Sequence, residues 1–178
     1  KGTHTLRKAC DFYMRTPSFA AISGKSQKDY ERKLNAVCLS SVQSGRILGN
    51  TKLKDLRFKH ITVAYDHWLM AHGIRSANYM ATCLSIVMNM AIRHEALVTN
   101  PVSLIDRKKT KARKVKWTTP QVKLFLDTAY GEWRWRSIGL IVHMAFHWAQ
   151  RVGDMRTLKW TSIDLVNNTL ELEQSKRG

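Results

Sequence analysis

Acidic residues are scarce in this sequence. Of 178 residues only 13 are Asp or Glu, against 30 Lys or Arg, and the net charge is +17. That imbalance narrows the partners to polyanions: DNA, RNA or an acidic membrane surface. Cysteine is also sparse. Cys10, Cys38 and Cys83 are widely spaced and form no CxxC pair, so neither a disulfide framework nor a zinc knuckle is expected, and a reducing interior is the natural setting. Long apolar runs are missing. Stretches such as 138–146 are far too short to span a bilayer, and no charged-then-apolar leader opens the chain. No GxxxxGK[ST] loop or GxGxxG turn is present, which argues against nucleotide-driven chemistry, and there is no GxSxG elbow. What remains is ample for a core: 44% of the residues are hydrophobic and 9% aromatic, the composition of a folded chain and not of a disordered tail. No internal repeat or low-complexity segment is found.

The distribution of charge divides the chain into three. Residues 1–106 carry fifteen basic and seven acidic side chains, and residues 117–178 carry eight and six. Between them the ten residues RKKTKARKVK (107–116) hold seven basic side chains and no acid. Like charges at this density repel one another and disfavour packing, so 107–116 reads as an exposed connector, which either meets a polyanion or is a merely solvated linker; its charge density favours the polyanion.

Before the connector only helical periods are seen. Ser26 is a candidate N-cap for a helix over about 27–41, with Tyr30, Leu34, Val37 and Ser41 at 4–3–4 spacing. Gly45 and Gly49-Asn50 break it. A second helix, about 55–71, places Ile61, Tyr65, Trp68 and Leu69 on one side and stops at Gly73. A third, about 76–96, gathers Met80, Leu84, Val87, Met88 and Ala91 on one face, and Asn100-Pro101 closes the unit. The expectation is a compact helical bundle. Opposite the apolar stripe of the third helix lie Asn78, Thr82, Ser85, Asn89 and Arg93, with Arg75 just ahead of it. Small polar residues flanked by arginines suit a helix laid in a DNA groove; an ordinary solvated face has the same look.

After the connector, Thr119 as N-cap and Pro120 at the first helical position open a helix through Val122, Phe125, Leu126 and Ala129. A helix over about 136–149 carries Ile138, Ile141, Ala145 and Trp148. Arg151-Val152-Gly153-Asp154 reads as a turn, followed by a short helix near 154–159. Asn167-Asn168 then lies between Ile163/Leu165 and the alternating Leu170-Glu171-Leu172-Glu173, a β-hairpin signal. The fold class is therefore mainly α: a helical bundle followed by a mixed α+β part with a hairpin. His143 and His147 stand at metal-ligand spacing, but the HExxH glutamate is missing and no third ligand is evident, so packing roles are expected and no metal.

The segment AQRVGDMRTLKWTSIDLVNNTLELEQSKRG (149–178) resembles the first catalytic block of the tyrosine recombinases, the phage integrase family. In that family a helix ends in a small-residue turn holding an Arg, then come an acidic residue and Leu-x-Trp-x-x-Ile/Val-Asp. Arg151, Asp154, Leu158, Trp160, Ile163 and Asp164 occupy those places here. The WTTPQVKLFLDTA entry to the second part, LRKACDFYM near the start, the long 76–96 helix and VTNPV at its end extend the likeness over nearly the whole chain. The resemblance implies a core-binding (SAM-like) domain over 1–106, the linker 107–116, and the first part of a catalytic domain over 117–178.

The family's chemistry then assigns roles. Attack on a phosphodiester builds negative charge on the non-bridging oxygens, which a permanently charged, bidentate guanidinium stabilises; Arg151 is that group. Asp154 either holds the guanidinium or caps the following helix. Lys176, on the hairpin that the resemblance implies, is the general acid toward the leaving 5′ oxygen. DNA contacts are expected from Arg75, Asn78, Thr82, Ser85, Asn89 and Arg93 and from Lys108, Lys109, Lys111, Arg113, Lys114 and Lys116. The family's His-x-x-Arg, a further His or Trp and the nucleophilic tyrosine belong downstream of Lys176. All five tyrosines here (Tyr13, Tyr30, Tyr65, Tyr79 and Tyr130) precede Arg151, so the 178 residues read as a fragment without its nucleophile. An amino-terminal arm-binding domain, common in integrases, is not in view either. The resemblance implies duplex DNA as partner, a recombination tetramer on that DNA, no cofactor, no membrane, and the bacterial cytoplasm beside the nucleoid. A non-enzymatic helical DNA-binding regulator explains the charge but not the 151–164 pattern. An RNA-binding protein is disfavoured by the lack of aromatic-rich strand motifs.

Overall fold

Hydroxyl side chains start the first helices. Thr5 Oγ1 accepts from the Lys8 amide at 3.4 Å at the head of α1 (Leu6–Tyr13), and Thr16 Oγ1 accepts from the Phe19 amide at 3.3 Å at the head of α2 (Pro17–Ala20). Ser23 Oγ accepts from the Ser26 amide at 3.3 Å to open α3 (Gly24–Leu39). The cap is therefore Ser23 and not the expected Ser26, which lies inside the helix. The computed structural model describes residues 4–42, 45–112 and 114–171. The chain divides into two units, Lys1–Ala112 and Arg113–Gly178.

In the first unit α3 runs into a short antiparallel pair, β1 (Ser41–Val42) and β2 (Arg46–Ile47), with Ser41 opposite Ile47 and Val42 opposite Arg46. This corrects the all-helical expectation for the first half. Strands of two residues are too short to leave a period-of-two pattern. Two 3₁₀ turns, Leu48–Asn50 and Leu53–Asp55, follow. Gly49 is pressed against the end of α3, where a Cβ would stand 2.6 Å from the Cys38 carbonyl oxygen, so no larger residue fits without moving backbone.

The two expected helices on either side of Gly73 form one long element, α4 (Phe58–Arg93), kinked where Gly73 takes φ 74° and ψ 168°. Its first turn is capped by the His60 imidazole, whose Nδ1 accepts from the Arg57 amide at 3.1 Å. Burial, aided by Lys59, Arg57 and Arg46, pushes the His60 pKa down, in the direction that favours the neutral acceptor. Ile61, Tyr65 and Trp68 before the kink, and Met80, Leu84, Val87, Met88 and Ala91 after it, are all buried, as their spacing predicts. α1 and α3 pack on this stripe. Each fully buried aliphatic side chain contributes about 1.5–3 kcal/mol. The buried Trp68 indole donates from Nε1 to Ser40 Oγ at 2.7 Å, so its one polar atom is satisfied. The three cysteines are buried in the same core as free thiols, and burial pushes Cys83 up to about 11.

In the second unit α5 (Thr119–Gly131) begins one residue earlier than expected. Thr118 is its N-cap, and Gln121 Oε1 accepts from the Thr118 amide at 2.9 Å in a capping box. After a 3₁₀ turn at Trp133–Trp135 comes α6 (Arg136–Trp148), then α7 (Val152–Thr157), a 3₁₀ turn at Trp160–Ser162, and the antiparallel pair β3 (Ile163–Asp164) and β4 (Thr169–Leu170). α5 packs on α6 through Val122 and Ala129, and Gly139 allows the close approach, with Ala129 Cβ 3.0 Å from where its own Cβ would be. The expected apolar face of α6 is only partly covered. Ile141 and Ala145 are half-buried, but Ile138 and Trp148 are exposed, because α5 and the short α7 that pack on α6 cover only part of its surface.

These burials set a contrast between the two sides of α4. Leu84→Ala is expected to destabilise the first unit by about 2–5 kcal/mol in urea unfolding. Arg93→Ala, exposed in the last turn, is expected to cost less than about 1 kcal/mol, the scale of a charge at a helix C-terminus.

Candidate nucleic-acid interface and catalytic block

On the polar side of α4 the structure brings the predicted residues together, but with one another and with the departing chain. Asn78 is half-buried; its Oδ1 accepts from the Tyr65 hydroxyl at 2.6 Å and its Nδ2 donates to the Lys108 carbonyl at 2.8 Å. Thr82 Oγ1 donates to the Asn78 carbonyl at 3.0 Å and accepts from Arg107 Nη1 at 2.8 Å. Asn100 Nδ2 donates to Ser85 Oγ at 2.9 Å and to Asn89 Oδ1 at 2.7 Å. Arg75, just past the kink, and Arg93, in the last turn, are exposed. Sequence reasoning missed Tyr65, Asn100 and Arg107 as members of this network. Tyr65 read as a core residue and Asn100 as a helix stop; a one-dimensional pattern cannot reveal that their polar ends meet residues up to 43 positions away.

The connector carries no regular secondary structure in its described residues. Its first half, through Ala112, belongs to the first unit, where the Lys108 amide donates to the Tyr65 hydroxyl at 3.0 Å. Lys108, Lys109 and Lys111 are exposed there, and Lys114 and Lys116 are exposed in the second unit. Arg113 lies outside the described residues.

In the second unit Arg151 is the N-cap of α7, with extended backbone (φ −71°, ψ 143°) and an exposed side chain. α6 ends just before it at Ala149, whose left-handed φ of 52° reverses the chain. The expected turn over 151–154 is shorter than it reads in sequence, because Val152 to Asp154 already form the first turn of α7. The Arg151 carbonyl accepts from the Asp154 amide at 3.0 Å and the Met155 amide at 3.1 Å. Asp154 is only 2% exposed and lies in the first turn of α7, where the helix dipole favours a carboxylate.

Further along, Leu158, Trp160 and Ile163 line a cavity of about 680 Å³ together with His143, His147 and Trp148. The two imidazoles lie 4.8 Å apart between ring centroids, and His143 Nδ1 is 3.2 Å from the Tyr130 hydroxyl. Among the described residues no group of three His, Cys, Asp or Glu is arranged to hold a metal. Asp164 has a definite structural task. Its Oδ1 accepts from the Val166 and Asn167 amides at 2.9 and 3.1 Å and its Oδ2 from Asn167 Nδ2 at 2.7 Å, forming the turn of the hairpin. The hairpin pairs Ile163 with Leu170 and Asp164 with Thr169, with Asn168 in the left-handed region at φ 52°. Leu172, Glu173 and Lys176 lie outside the described residues.

No protein-family model matches the chain. Over 174 residues it is 27% identical to the integrase of Enterobacteria phage 434, covering 98% of this chain and 46% of that protein. Among solved structures, a lambda integrase dimer bound to a COC′ core site matches with a TM-score of 0.79 at 26% identity, over 98% of this chain and 47% of that one. A lambda integrase tetramer bound to a Holliday junction matches with a TM-score of 0.80 at 25% identity, over 98% and 48%. The chain is thus similar, over nearly its whole length, to phage integrases, at 26–28% identity. It spans about half the length of the curated relatives it matches. No helix among the described residues is long and apolar enough to cross a membrane.

In this block the hairpin turn favours an ionised Asp164. Hydrogen bonds from Asn167 and the Val166 amide hold its carboxyl below the ordinary carboxylate range. The turn is therefore held above that range and loosened as the pH falls through the lowered value. Asp164→Ala is expected to lower the protection factors of the Val166 and Asn167 amides at neutral pH, and acidification of the unaltered chain is expected to lower them too, once the slower intrinsic exchange in acid is divided out.

Proposed function

We propose that these 178 residues form the core-site DNA-binding part and the opening of the catalytic domain of a site-specific DNA recombinase. The observation that carries this reading is Arg151 at the head of α7, exposed, with buried Asp154 in the same turn and Leu158, Trp160, Ile163 and Asp164 following in the family's order. In the proposed reaction a tyrosine oxygen attacks a backbone phosphorus, a 3′-phosphotyrosyl bond forms, and the 5′ oxygen leaves with a proton. Rejoining reverses these steps, and the phosphotyrosyl bond conserves the energy of the broken one. Arg151 stabilises the charge that builds on the phosphate oxygens, with Asp154 bracing the turn that carries it. Lys176 gives the leaving oxygen its proton.

The same reading assigns DNA contact to the connector. Lys108, Lys109, Lys111, Arg113, Lys114 and Lys116 neutralise phosphates, and Arg75 and Arg93 extend the basic surface along α4. Duplex DNA as substrate, and self-association into a tetramer on it, are supported by the likeness to lambda integrase, solved as a dimer on a core site and as a tetramer on a Holliday junction.

Two measurements test this. Neutralising Lys108, Lys109, Lys111 and Arg113 together is expected to flatten the slope of log K against log salt by about 0.9 for each phosphate no longer neutralised, read by a binding titration; an unchanged slope makes 107–116 a mere linker. On a nicked suicide substrate, the full-length protein is expected to give a covalent band in a denaturing gel. The 178-residue polypeptide is expected to bind DNA without one, since its tyrosines all precede Arg151 and Tyr13 and Tyr65 are buried in the first unit. Full-length Arg151→Ala should lose the band while keeping DNA binding, and Arg151→Lys should do so nearly as fully, because an ammonium cannot make the bidentate contact. A band of normal strength from Arg151→Ala overturns the assignment of this site.

A further inference from the structure

The contacts between α4 and the connector go beyond what a tethered run of charge requires. Tyr65 is 2% exposed, yet its hydroxyl donates to Asn78 Oδ1 at 2.6 Å and accepts from the Lys108 amide at 3.0 Å. Asn78 Nδ2 closes the ring on the Lys108 carbonyl at 2.8 Å. Both backbone polar groups of Lys108 are thus held by side chains of α4, one from each side of the Gly73 kink. The Arg107–Thr82 bond at 2.8 Å adds a second tie next to it. An Asn that reads an adenine edge uses its oxygen and its amide nitrogen together, and in Asn78 both are already committed inside the protein.

We propose that Tyr65 and Asn78 are positioning residues: they fix the root of the basic connector on α4, so that Arg107, Lys108 and Lys109 meet the DNA backbone as a preformed group. This rests on the DNA-binding reading above. The Asn78–Thr82 part of the polar stripe of α4 then serves the connector and does not read bases. A preordered connector pays less conformational entropy on binding than a free one, so the tie raises affinity without adding a charge.

The test uses the whole 178-residue chain and two variants, Tyr65→Phe and Asn78→Ala. Without DNA, hydrogen exchange at the Lys108 amide and tryptic cleavage after Arg107, Lys108 and Lys109 are expected to rise about tenfold in both, the scale of removing one hydrogen bond. On duplex DNA the affinity is expected to fall by about three- to tenfold, with an unchanged salt slope because no charge has been removed. Asn78→Ala, at a half-buried position, carries the test if Tyr65→Phe lowers the melting temperature. Exchange and cleavage at the unaltered rate in both variants overturn the proposal. So does an Asn78→Ala variant that loses affinity for one base sequence while its connector stays protected, since that is the behaviour of a base reader. If the unaltered chain fails to bind duplex DNA, the functional reading fails, and the exchange data still decide whether the tie exists.

Discussion

A helix can bury only one stripe of its surface, and the first unit is built on how α4 uses the other. Its apolar side takes α1 and α3 and becomes the core. Its polar side, which a soluble helix would ordinarily leave to water, holds the chain that leaves the unit, through Asn100 on Ser85 and Asn89 and through Arg107 and Lys108 on Thr82, Asn78 and Tyr65. The kink at Gly73 makes the second use possible, because Tyr65 and Asn78 lie on opposite sides of it and still meet at 2.6 Å.

This arrangement bears on a chain with a charge of +17. Seven basic side chains in ten residues repel one another and favour an extended, fluctuating segment. Neutral hydrogen bonds to the backbone of Lys108 hold the start of that segment without neutralising any of its charge, so its electrostatic reach is kept while part of its freedom is removed. Among the described residues the ion pairs are few and surface-exposed: Arg32 with Asp29, Lys123 with Asp127, Arg134 with Glu132. None involves the connector, and pairs of this kind contribute little to stability.

In the second unit the fixed element is the backbone of Arg151. A left-handed residue at Ala149 stops α6, and α7 begins two residues later with Arg151 as its cap. The arginine backbone is thereby held by two amides of α7 while the side chain stays exposed. The motif that follows supplies support: Asp164 builds the hairpin turn, and Leu158, Trp160 and Ile163 form one wall of an apolar cavity.

Much of this was legible in the sequence, and for identifiable reasons. Helical period carries burial directly, so Ile61, Trp68, Leu84 and Val87 could be placed in the core from spacing alone, and the order from Arg151 to Asp164 pointed to the family before any geometry. Local competition blurred the ends of elements: Ser23 and Ser26, or Thr118 and Thr119, are equally good caps on paper, and only backbone geometry chooses between them. The β1–β2 pair was invisible because two residues hold no period. The polar stripe of α4 is the clearest case of a limit. Sequence determined that Asn78, Thr82, Ser85 and Asn89 share a face, since helix geometry is local. Which partners that face takes was decided only by tertiary structure, because the groups that satisfy it come from 11 to 30 residues away and are brought there by the packing of the core beneath.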